Sequence, residues 1–411
     1  MRICKLSLIS AAVLLLGATL FVGCSMQDGS FDDMVYEADN SAIQLSSSFA
    51  KIDNTVYFIE RVPESGQSVA MYADLESGQN GVLCGKAECQ HDKPSCNAYI
   101  GFQAIGFSAY GGKLYWMAEK VVGEEFKGKY LYCMDADGSN RKELRKIAET
   151  DSDVLPDGNT YAFFHRGYFV IGGVRTSMEQ NQYTSKGAIY AFSLKNPKED
   201  QAIFEDDIGA DVSLLYLQAD KEKLYYSYSE KVNEEEYRTR IVVWDLAEKT
   251  GEILYEKVAD FGVWRFAQDH DKGRILMTAS GENDDRVFEI DLKTRELKES
   301  FHFAPEGEVF SNLDLLDGKV VGYTYPGLDQ WDFSKRHILI RDYDGNIVNE
   351  RLETETMRDE NDSWVYGRIL NGADEENLYY QYNVMDNSGD SFFVAIPMNG
   401  DTERILWSSR E

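Results

Sequence analysis

Three cysteines and one histidine lie within the stretch LCGKAECQHDKPSCNAY at residues 83–99. Cys84, Cys89, His91 and Cys96 follow the spacing C-x4-C-x-H-x4-C. Thiolates and imidazoles are preferred zinc ligands, and four protein ligands complete the tetrahedral coordination of a structural site. The stretch therefore predicts a closed zinc site that leaves no position open for a catalytic water. Residues two apart in an extended segment share a face, so Cys89 and His91 are expected to bind from one side.

Oxidation of the same thiols is the alternative to metal binding. Exported proteins favour disulfides, and Cys133 makes an even set of four with the three cysteines of the stretch. Cys133 lies in a predicted strand about 15 Å from the cluster, whereas a disulfide needs a Cα separation below about 7 Å. We therefore expect Cys133 to be a buried apolar side chain. For the cluster, a zinc ion and one disulfide with a spare thiol both stay open.

The N-terminus has a positively charged start, MRICK, and then an apolar run that reaches residue 22. This layout, followed at once by polar residues, is typical of a secretory signal peptide. The tetrapeptide FVGC at residues 21–24 resembles the lipobox of bacterial lipoproteins, which implies cleavage before Cys24 and a diacylglycerol on its thiol. We expect a signal peptide at 1–23, a polar tether at 24–41, and a single extracytoplasmic domain at 42–411 anchored to the bacterial cell membrane.

The composition limits the partners of this domain. The chain has 71 Asp+Glu against 42 Lys+Arg, a formal net charge of −29. Such a field repels nucleic acids and anionic lipid surfaces. We therefore expect no nucleic-acid partner, and membrane contact only through the lipid on Cys24. A hydrophobic content of 43% excludes wholesale disorder.

One strand pattern, rich in aromatic and β-branched residues, recurs along the domain at intervals of 45 to 58 residues. Its third positions align at Val56, Leu114, Tyr168, Leu224, Ile275, Val320 and Leu378. A second apolar strand with a Gly, Asp or Asn hairpin follows each copy, and shorter apolar strands flank each pair. Four strands per unit, repeated around an axis, are typical of a β-propeller. We predict an all-β, seven-bladed propeller with four antiparallel strands per blade; six or eight blades stay open.

The hairpin YxMDxDGSNxxxL at residues 132–144 resembles units of TolB-like propellers in bacterial envelope lipoproteins. The cysteine stretch is similar to a segment of TolB-like propeller lipoproteins of unknown function from anaerobic Gram-positive bacteria. The resemblance implies a propeller fold and an envelope location, and it supplies no established activity. In the order of the repeat units, the cysteine stretch lies between the last strand of unit one and the first strand of unit two.

The loops between the second and third strands of each unit are polar, and the cysteine stretch is expected on the same face. Tyr183, Tyr325 and Trp331 lie there without an evident packing role, so we predict that they contact a ligand. We expect a binding module for an envelope protein, a glycan or a small ligand. The alternative is a hydrolase or lyase acting on extracellular carbohydrate or peptide through carboxylates at the axial mouth. No catalytic residue is predicted.

Overall fold

Short strands rich in aromatic and β-branched side chains make up most of the domain, and every four consecutive strands form one antiparallel sheet. In the computed structural model the described residues are 43–44, 48–61, 68–86, 88–91, 93–123, 125–148, 157–179, 182–208, 214–220, 223–233, 235–280, 284–316, 318–326, 336–352, 365–384, 391–400 and 402–409. They contain seven such sheets, which confirms a seven-bladed β-propeller. The predicted signal peptide, the tether and Cys24 lie outside the described residues.

Each blade takes four strands, here called A to D in chain order, from one continuous stretch. Blade one contains β2 (Phe49–Ile52), β3 (Thr55–Arg61), β4 (Ser68–Asp74) and β5 (Asn80–Val82). Blade two contains β6 (Phe102–Tyr110), β7 (Lys113–Val122), β8 (Glu125–Asp135) and β9 (Lys142–Ala148). Blade three contains β10 (Asp157–His165), β11 (Tyr168–Glu179), β12 (Gln182–Ser193) and β13 (Gln201–Ile208).

The remaining blades repeat this order. Blade four contains β14 (Leu214–Asp220), β15 (Lys223–Lys231), β16 (Tyr237–Asp245) and β17 (Thr250–Ala259). Blade five contains β18 (Gly262–Asp269), β19 (Arg274–Ser280), β20 (Arg286–Asp291) and β21 (Leu297–His302). Blade six contains β22 (Glu308–Leu316), β23 (Lys319–Pro326), β24 (His337–Asp342) and β25 (Ile347–Leu352). Blade seven contains β26 (Val365–Ala373), β27 (Asn377–Val384), β28 (Ser391–Pro397) and β29 (Arg404–Ser408).

The aligned positions of the repeat lie in strand B of each blade, where side chains alternate between the two faces of the sheet. Six of them are at most 1% exposed: Val56, Leu114, Leu224, Ile275, Val320 and Leu378. Tyr168 at the seventh is partly exposed. The buried clusters join side chains of neighbouring blades. The apolar faces that one blade cannot bury alone are therefore covered by the next blade around the ring.

The ring closes between blade seven and blade one. An additional strand, β1 (Ile43–Gln44), pairs with β26, the A strand of blade seven. Next to it, the rings of Phe58 and Phe393 stack with centroids 4.1 Å apart, and Phe49 stacks on Tyr379 at 5.1 Å. Because burial of such a side chain contributes about 1.5–3 kcal/mol, aromatic packing and strand pairing together close the ring.

The A strands of neighbouring blades contact each other and therefore line the axis. The A–B and C–D turns lie at one end of the blades, and the B–C and D–A connections lie at the other, because the four strands are antiparallel. Among the described residues the helical content is one 3₁₀ turn, Pro197–Glu199. None of the described segments forms a helix with the length and apolar character needed to cross a membrane.

Candidate metal centre

The four residues of the cysteine stretch converge in space. Cys84, Cys89, His91 and Cys96 each present one potential ligand atom, and these atoms all lie within 4.8 Å of one another. The Nδ1 atom of His91 lies 3.3 Å from the Sγ atom of Cys96. With Zn–S bonds of about 2.3 Å and Zn–N bonds of about 2.0 Å, tetrahedral ligand atoms stand about 3.5–3.8 Å apart. The cluster therefore has close to the dimensions that a tetrahedral metal site requires.

The cluster lies in an insertion within strand D of blade one. The outer edge of β4 is paired as far as Leu83, whose N–H donates to the carbonyl of Ala70 at 2.9 Å. The chain then leaves the sheet and returns at Ala98, whose carbonyl accepts from the N–H of the same Ala70 at 2.8 Å. Residues 84–97 thus interrupt one strand. As predicted, the stretch lies between β5 of blade one and β6 of blade two; in addition, residues 98–100 pair along β4.

Two turns within the insertion position the thiols. The N–H of Cys89 donates to the carbonyl of Lys86 at 3.1 Å, and the N–H of Cys96 donates to the carbonyl of Lys93 at 2.9 Å. Cys89 and Cys96 are therefore each the last residue of a four-residue turn, at 86–89 and 93–96. His91 has φ 57°, a left-handed conformation. The predicted extended geometry of Cys89 and His91 is therefore wrong, and a local reversal of the chain brings the two side chains together.

The insertion is anchored to the next blade by Arg141, which follows the C–D hairpin of blade two. Its Nη1 atom donates to the carbonyls of Pro94 at 2.9 Å and Cys96 at 3.2 Å. The guanidinium also lies over the rings of Tyr99, at 5.2 Å, and Tyr132, at 5.8 Å. Burial lowers the pKa of Arg141, whose charge nonetheless persists at neutral pH. One cation thus fixes the backbone of a candidate ligand from outside its own blade.

The C–D hairpin itself fits closely against the start of the insertion. Gly138 has φ +77°, and a Cβ atom there would lie 2.5 Å from the carbonyl oxygen of Leu83. Only glycine combines this conformation with such a close approach. Among the described residues, the insertion therefore contacts this C–D hairpin. That the cluster opens on the face of the B–C loops stays a prediction.

The thiols of the cluster differ in how readily they ionise. Burial is the largest influence on Cys96 and raises the pKa of its thiol to about 12. For Cys84, burial also acts to raise the pKa, but hydrogen bonds, led by those with the backbone of Lys86 and Asn97, outweigh it and lower the pKa. Burial disfavours a thiolate and hydrogen-bond donors favour it. Two or three thiolates so close together repel one another, and the positive charge of a bound cation would stabilise them in the ionised form.

All four described cysteines are free thiols, and no two of them are at bonding distance. Cys133 is 2% exposed within β8, and burial raises the pKa of its thiol. It lies outside the group of converging ligands, as predicted from the length of its strand. The disulfide expected as the alternative is therefore absent from the described cysteines, and the geometry matches metal ligation better than oxidation.

The aromatic residues predicted to contact a ligand do not share a described site. Trp331 lies outside the described residues, and Tyr183 lies in β12 at a position whose side chain is not described. Tyr325 is the last residue but one of β23 and is 3% exposed, and its hydroxyl forms a hydrogen bond with that of Ser311 at 3.2 Å. The expectation that Tyr325 is an exposed loop residue is wrong, because its ring packs in the core between blades six and seven. Ligand contact by Tyr183 and Trp331 stays a prediction.

Comparison with protein-family models and with curated proteins gave no match. Among solved structures, the chain is similar to an acylaminoacyl peptidase in complex with Z-Gly-Gly-Phe-chloromethyl ketone, with 13% identity and a TM-score of 0.52 over 90% of this chain and 53% of that chain. It is also similar to the β-propeller domain of the trilobed protease from Pyrococcus furiosus, with 14% identity and a TM-score of 0.51 over 90% of this chain and 96% of that chain. TolB from Acinetobacter baumannii matches with 14% identity and a TM-score of 0.37 over 72% of this chain and 62% of that chain.

These similarities support the propeller fold. The chain spans about half the length of the acylaminoacyl peptidase. At such low identity, neither peptidase match extends to activity. The TM-score with TolB is too low to carry an argument, so the specific resemblance to TolB-like lipoproteins stays a prediction.

Proposed function

We propose that this protein is a lipid-anchored β-propeller of the bacterial cell envelope, that it acts as a binding module, and that a structural zinc ion braces its blade one. The observation that carries the zinc site is the convergence of three thiols and one imidazole within 4.8 Å. Four protein ligands fill a tetrahedral site, so the metal serves the structure and leaves no coordination position for a substrate.

The position of the cluster explains what the metal does for the ring. Residues 84–97 leave strand D of blade one and are held at their far end by Arg141 of blade two. A metal bound by both Cys84 and Cys96 would join the two ends of the segment 84–97. Leu83 and Ala98, which both pair with Ala70 of β4, would then be held next to each other. The site therefore stabilises the outer junction of two neighbouring blades. Metal ligation contributes directly to folding where the ligands converge only in the native state.

The envelope location and the lipid anchor rest on the sequence of residues 1–24. The binding role rests on the fold, because propellers present loops from several blades around one axis. The peptidase propellers are compatible with the hydrolase alternative as well. At the axis, however, the described carboxylate of Asp314 is engaged by the guanidinium of Arg265 at 3.2 Å, which is unlike a pair of free acid and base groups.

The zinc site is tested by measuring the metal content and the free thiols of the full-length protein purified from membranes in detergent. We expect one zinc per chain in the wild type and none in Cys96→Ser. Cys133→Ser is the matched control, since it removes a buried thiol outside the cluster, and it is expected to keep the metal. Wild-type protein without metal and with a mass two units lower, the signature of a disulfide, would contradict the proposal.

The anchor is tested separately by labelling cells with a radioactive fatty acid. The wild-type chain is expected to carry label and to fractionate with membranes. Cys24→Ala is expected to lose the label, while Cys84→Ala keeps it. Label on the Cys24→Ala chain would contradict lipidation at this residue and would leave the metal site unaffected.

A further inference from the structure

Two side chains from non-neighbouring blades meet at the axis. Arg265 lies in β18, the A strand of blade five, and Tyr161 lies in β10, the A strand of blade three. The Nη1 atom of Arg265 donates to the hydroxyl of Tyr161 at 2.6 Å. In a ring of seven blades, blades three and five are separated by blade four. Their side chains therefore meet by reaching into the axial channel.

The guanidinium of Arg265 is held in place on several sides. Its Nε atom donates to Asp314 of blade six at 3.2 Å, and it lies 5.1 Å from the ring centre of Tyr216 in blade four. Tyr161 and Tyr216 pack edge to face, with centroids 5.4 Å apart. Asp314 and the two tyrosines thus fix the cation across four consecutive blades, and its Nη2 atom has no partner among the described residues.

Trp264 places an apolar surface beside this cation. It is 38% exposed although it belongs to an inner strand, and its ring lies 4.9 Å from the guanidinium of Arg265. The pairing of β18 with β19 shifts register between Val263 and Arg265, which marks a β-bulge. Bulges redirect side chains next to functional sites. An exposed indole next to a partly buried cation that is held in place by its neighbours is the composition of a binding site more than of a packed core.

We propose that Arg265, Tyr161 and Trp264 form a binding site for the free C-terminal carboxylate of a peptide. The Nη2 atom offers N–H donors, and the Tyr161 hydroxyl, which already accepts from Nη1, retains its own proton to donate. A carboxylate accepts both bonds, and the last apolar side chain of the peptide packs on the indole of Trp264. This inference rests on the proposed role as a binding module and names the ligand of that module.

The charge of the site and the chemistry of its lining favour this ligand. Asp314 cancels part of the positive charge, and the chain carries a net charge of −29, so multiply charged anions such as phosphates are disfavoured. The contact between blades three and five lies in front of Tyr216 of blade four, on one side of the axis. A peptide C-terminus supplies one negative charge together with an apolar side chain for the neighbouring indole of Trp264.

The test uses titration calorimetry of the full-length protein in detergent with three probes. They are the peptide acetyl-Ala-Ala-Phe with a free carboxylate, the same peptide as its C-terminal amide, and glucuronic acid. We expect saturable binding of the free peptide, and weakening by about 10- to 100-fold for the amide, because hydrogen bonds to charged groups are lost. Equal binding of the peptide and its amide, or no binding of the peptide, overturns the proposal. Binding of glucuronic acid alone assigns the site to glycans and overturns it too.

Variants establish where the peptide binds. Arg265→Gln is expected to weaken binding by about 10- to 100-fold, and Trp264→Ala to weaken it by about 10-fold. Arg295→Gln is the matched control, because Arg295 is an exposed arginine in the C–D turn of blade five. If Arg265→Gln fails to fold because it leaves Asp314 unpaired, the double variant Arg265→Gln/Asp314→Asn removes both charges together. Unchanged binding in Arg265→Gln, or in the double variant, overturns the site.

The metal content of every sample separates this inference from the proposed zinc site. Wild-type protein that retains one zinc per chain and binds no peptide overturns the axial site and leaves the zinc site standing. Wild-type protein that binds the peptide without zinc supports the axial site and contradicts the zinc site.

Discussion

The thiol cluster at the rim and the guanidinium site at the axis are assembled in opposite ways. At the rim, residues 84–96 supply all four potential ligands, and two local turns bring them together. At the axis, Tyr161 and Arg265 are 104 residues apart in the sequence and meet only because the ring closes. The rim site therefore depends on local chain geometry with one anchor in the next blade, whereas the axial site depends on the position of every blade between its members.

Weakening the contact between blades seven and one should have the largest effect on stability, and it should affect the axial site and not the rim site. Phe393 is fully buried, and its ring stacks on that of Phe58 at 4.1 Å. We expect Phe393→Ala to lower the free energy of unfolding by about 3–5 kcal/mol, as measured by denaturant titration. Peptide binding at the axis is expected to weaken. The zinc content is expected to stay at one per chain although Phe393 and Cys96 share one buried cluster, because all four ligands come from residues 84–96. Loss of zinc together with peptide binding would contradict the local character of the rim site.

Removal of one metal ligand should have the next largest effect on stability. It should abolish the rim site and leave the axial site intact, the reverse of the effect of Phe393→Ala. Cys96→Ser is expected to lose the metal and about 3 kcal/mol of stability, in the range given by loss of a buried structural interaction. Peptide binding at the axis should remain within about two-fold of wild type, since distant sites are usually independent. Cys133→Ser, which keeps the metal, controls for the removal of a buried thiol. Equal metal loss in both variants would contradict ligation by Cys96.

The anchor from blade two tests how local the rim site is. Arg141→Met keeps a long side chain but removes the bonds to the carbonyls of Pro94 and Cys96. We expect a loss of about 1.5–3 kcal/mol from the charged hydrogen bonds and a zinc affinity weaker by about 10- to 100-fold, as for other groups that orient ligands. Competition with a fluorescent chelator measures the affinity. An unchanged affinity would show that the insertion forms the site without blade two.

The smallest effect on stability is expected for the exposed ion pair of His302 and Asp285, which lies away from both sites. Hydrogen bonding to Asp285 is the largest influence that raises the pKa of His302. A raised pKa in the folded state stabilises the protein below the unfolded value of about 6.5. The contribution is lost as pH rises through the folded-state pKa. The stability difference between wild type and His302→Gln should be below about 1 kcal/mol at pH 5.5, since the pair is exposed, and smaller still at pH 8. A larger difference at pH 8 would contradict this sign.

Much of the ring was predictable from the sequence, because strand periodicity and turn residues are local signals. The aligned positions such as Val56 and Leu378 identified strand B of each blade, and their burial confirms the repeat. The four members of the rim cluster were predictable for the same reason. Their place within strand D was not, because the return of Ala98 to the edge of β4 is a non-local pairing.

Contacts between distant parts of the chain were much less predictable, because no local pattern signals them. Arg141 follows a hairpin whose composition is explained by its turn, and no local signal links it to Cys96. Trp264 and Arg265 are adjacent in an inner strand, an unusual pair for that position, but only the closed ring shows that Tyr161 lies opposite. Tyr325 was wrongly predicted to be exposed because its sequence neighbours are polar, whereas its ring is buried between two blades.

X-ray absorption at the zinc edge of the full-length protein tests the central claim most directly. The account predicts one zinc per chain with three sulfur neighbours at about 2.3 Å and one nitrogen neighbour at about 2.0 Å. One sulfur should disappear from this shell in Cys96→Ser protein reloaded with zinc, and none should disappear in Cys133→Ser. A zinc surrounded by oxygen and nitrogen alone, or a protein that binds no zinc while two of Cys84, Cys89 and Cys96 are oxidised to a disulfide, would contradict it.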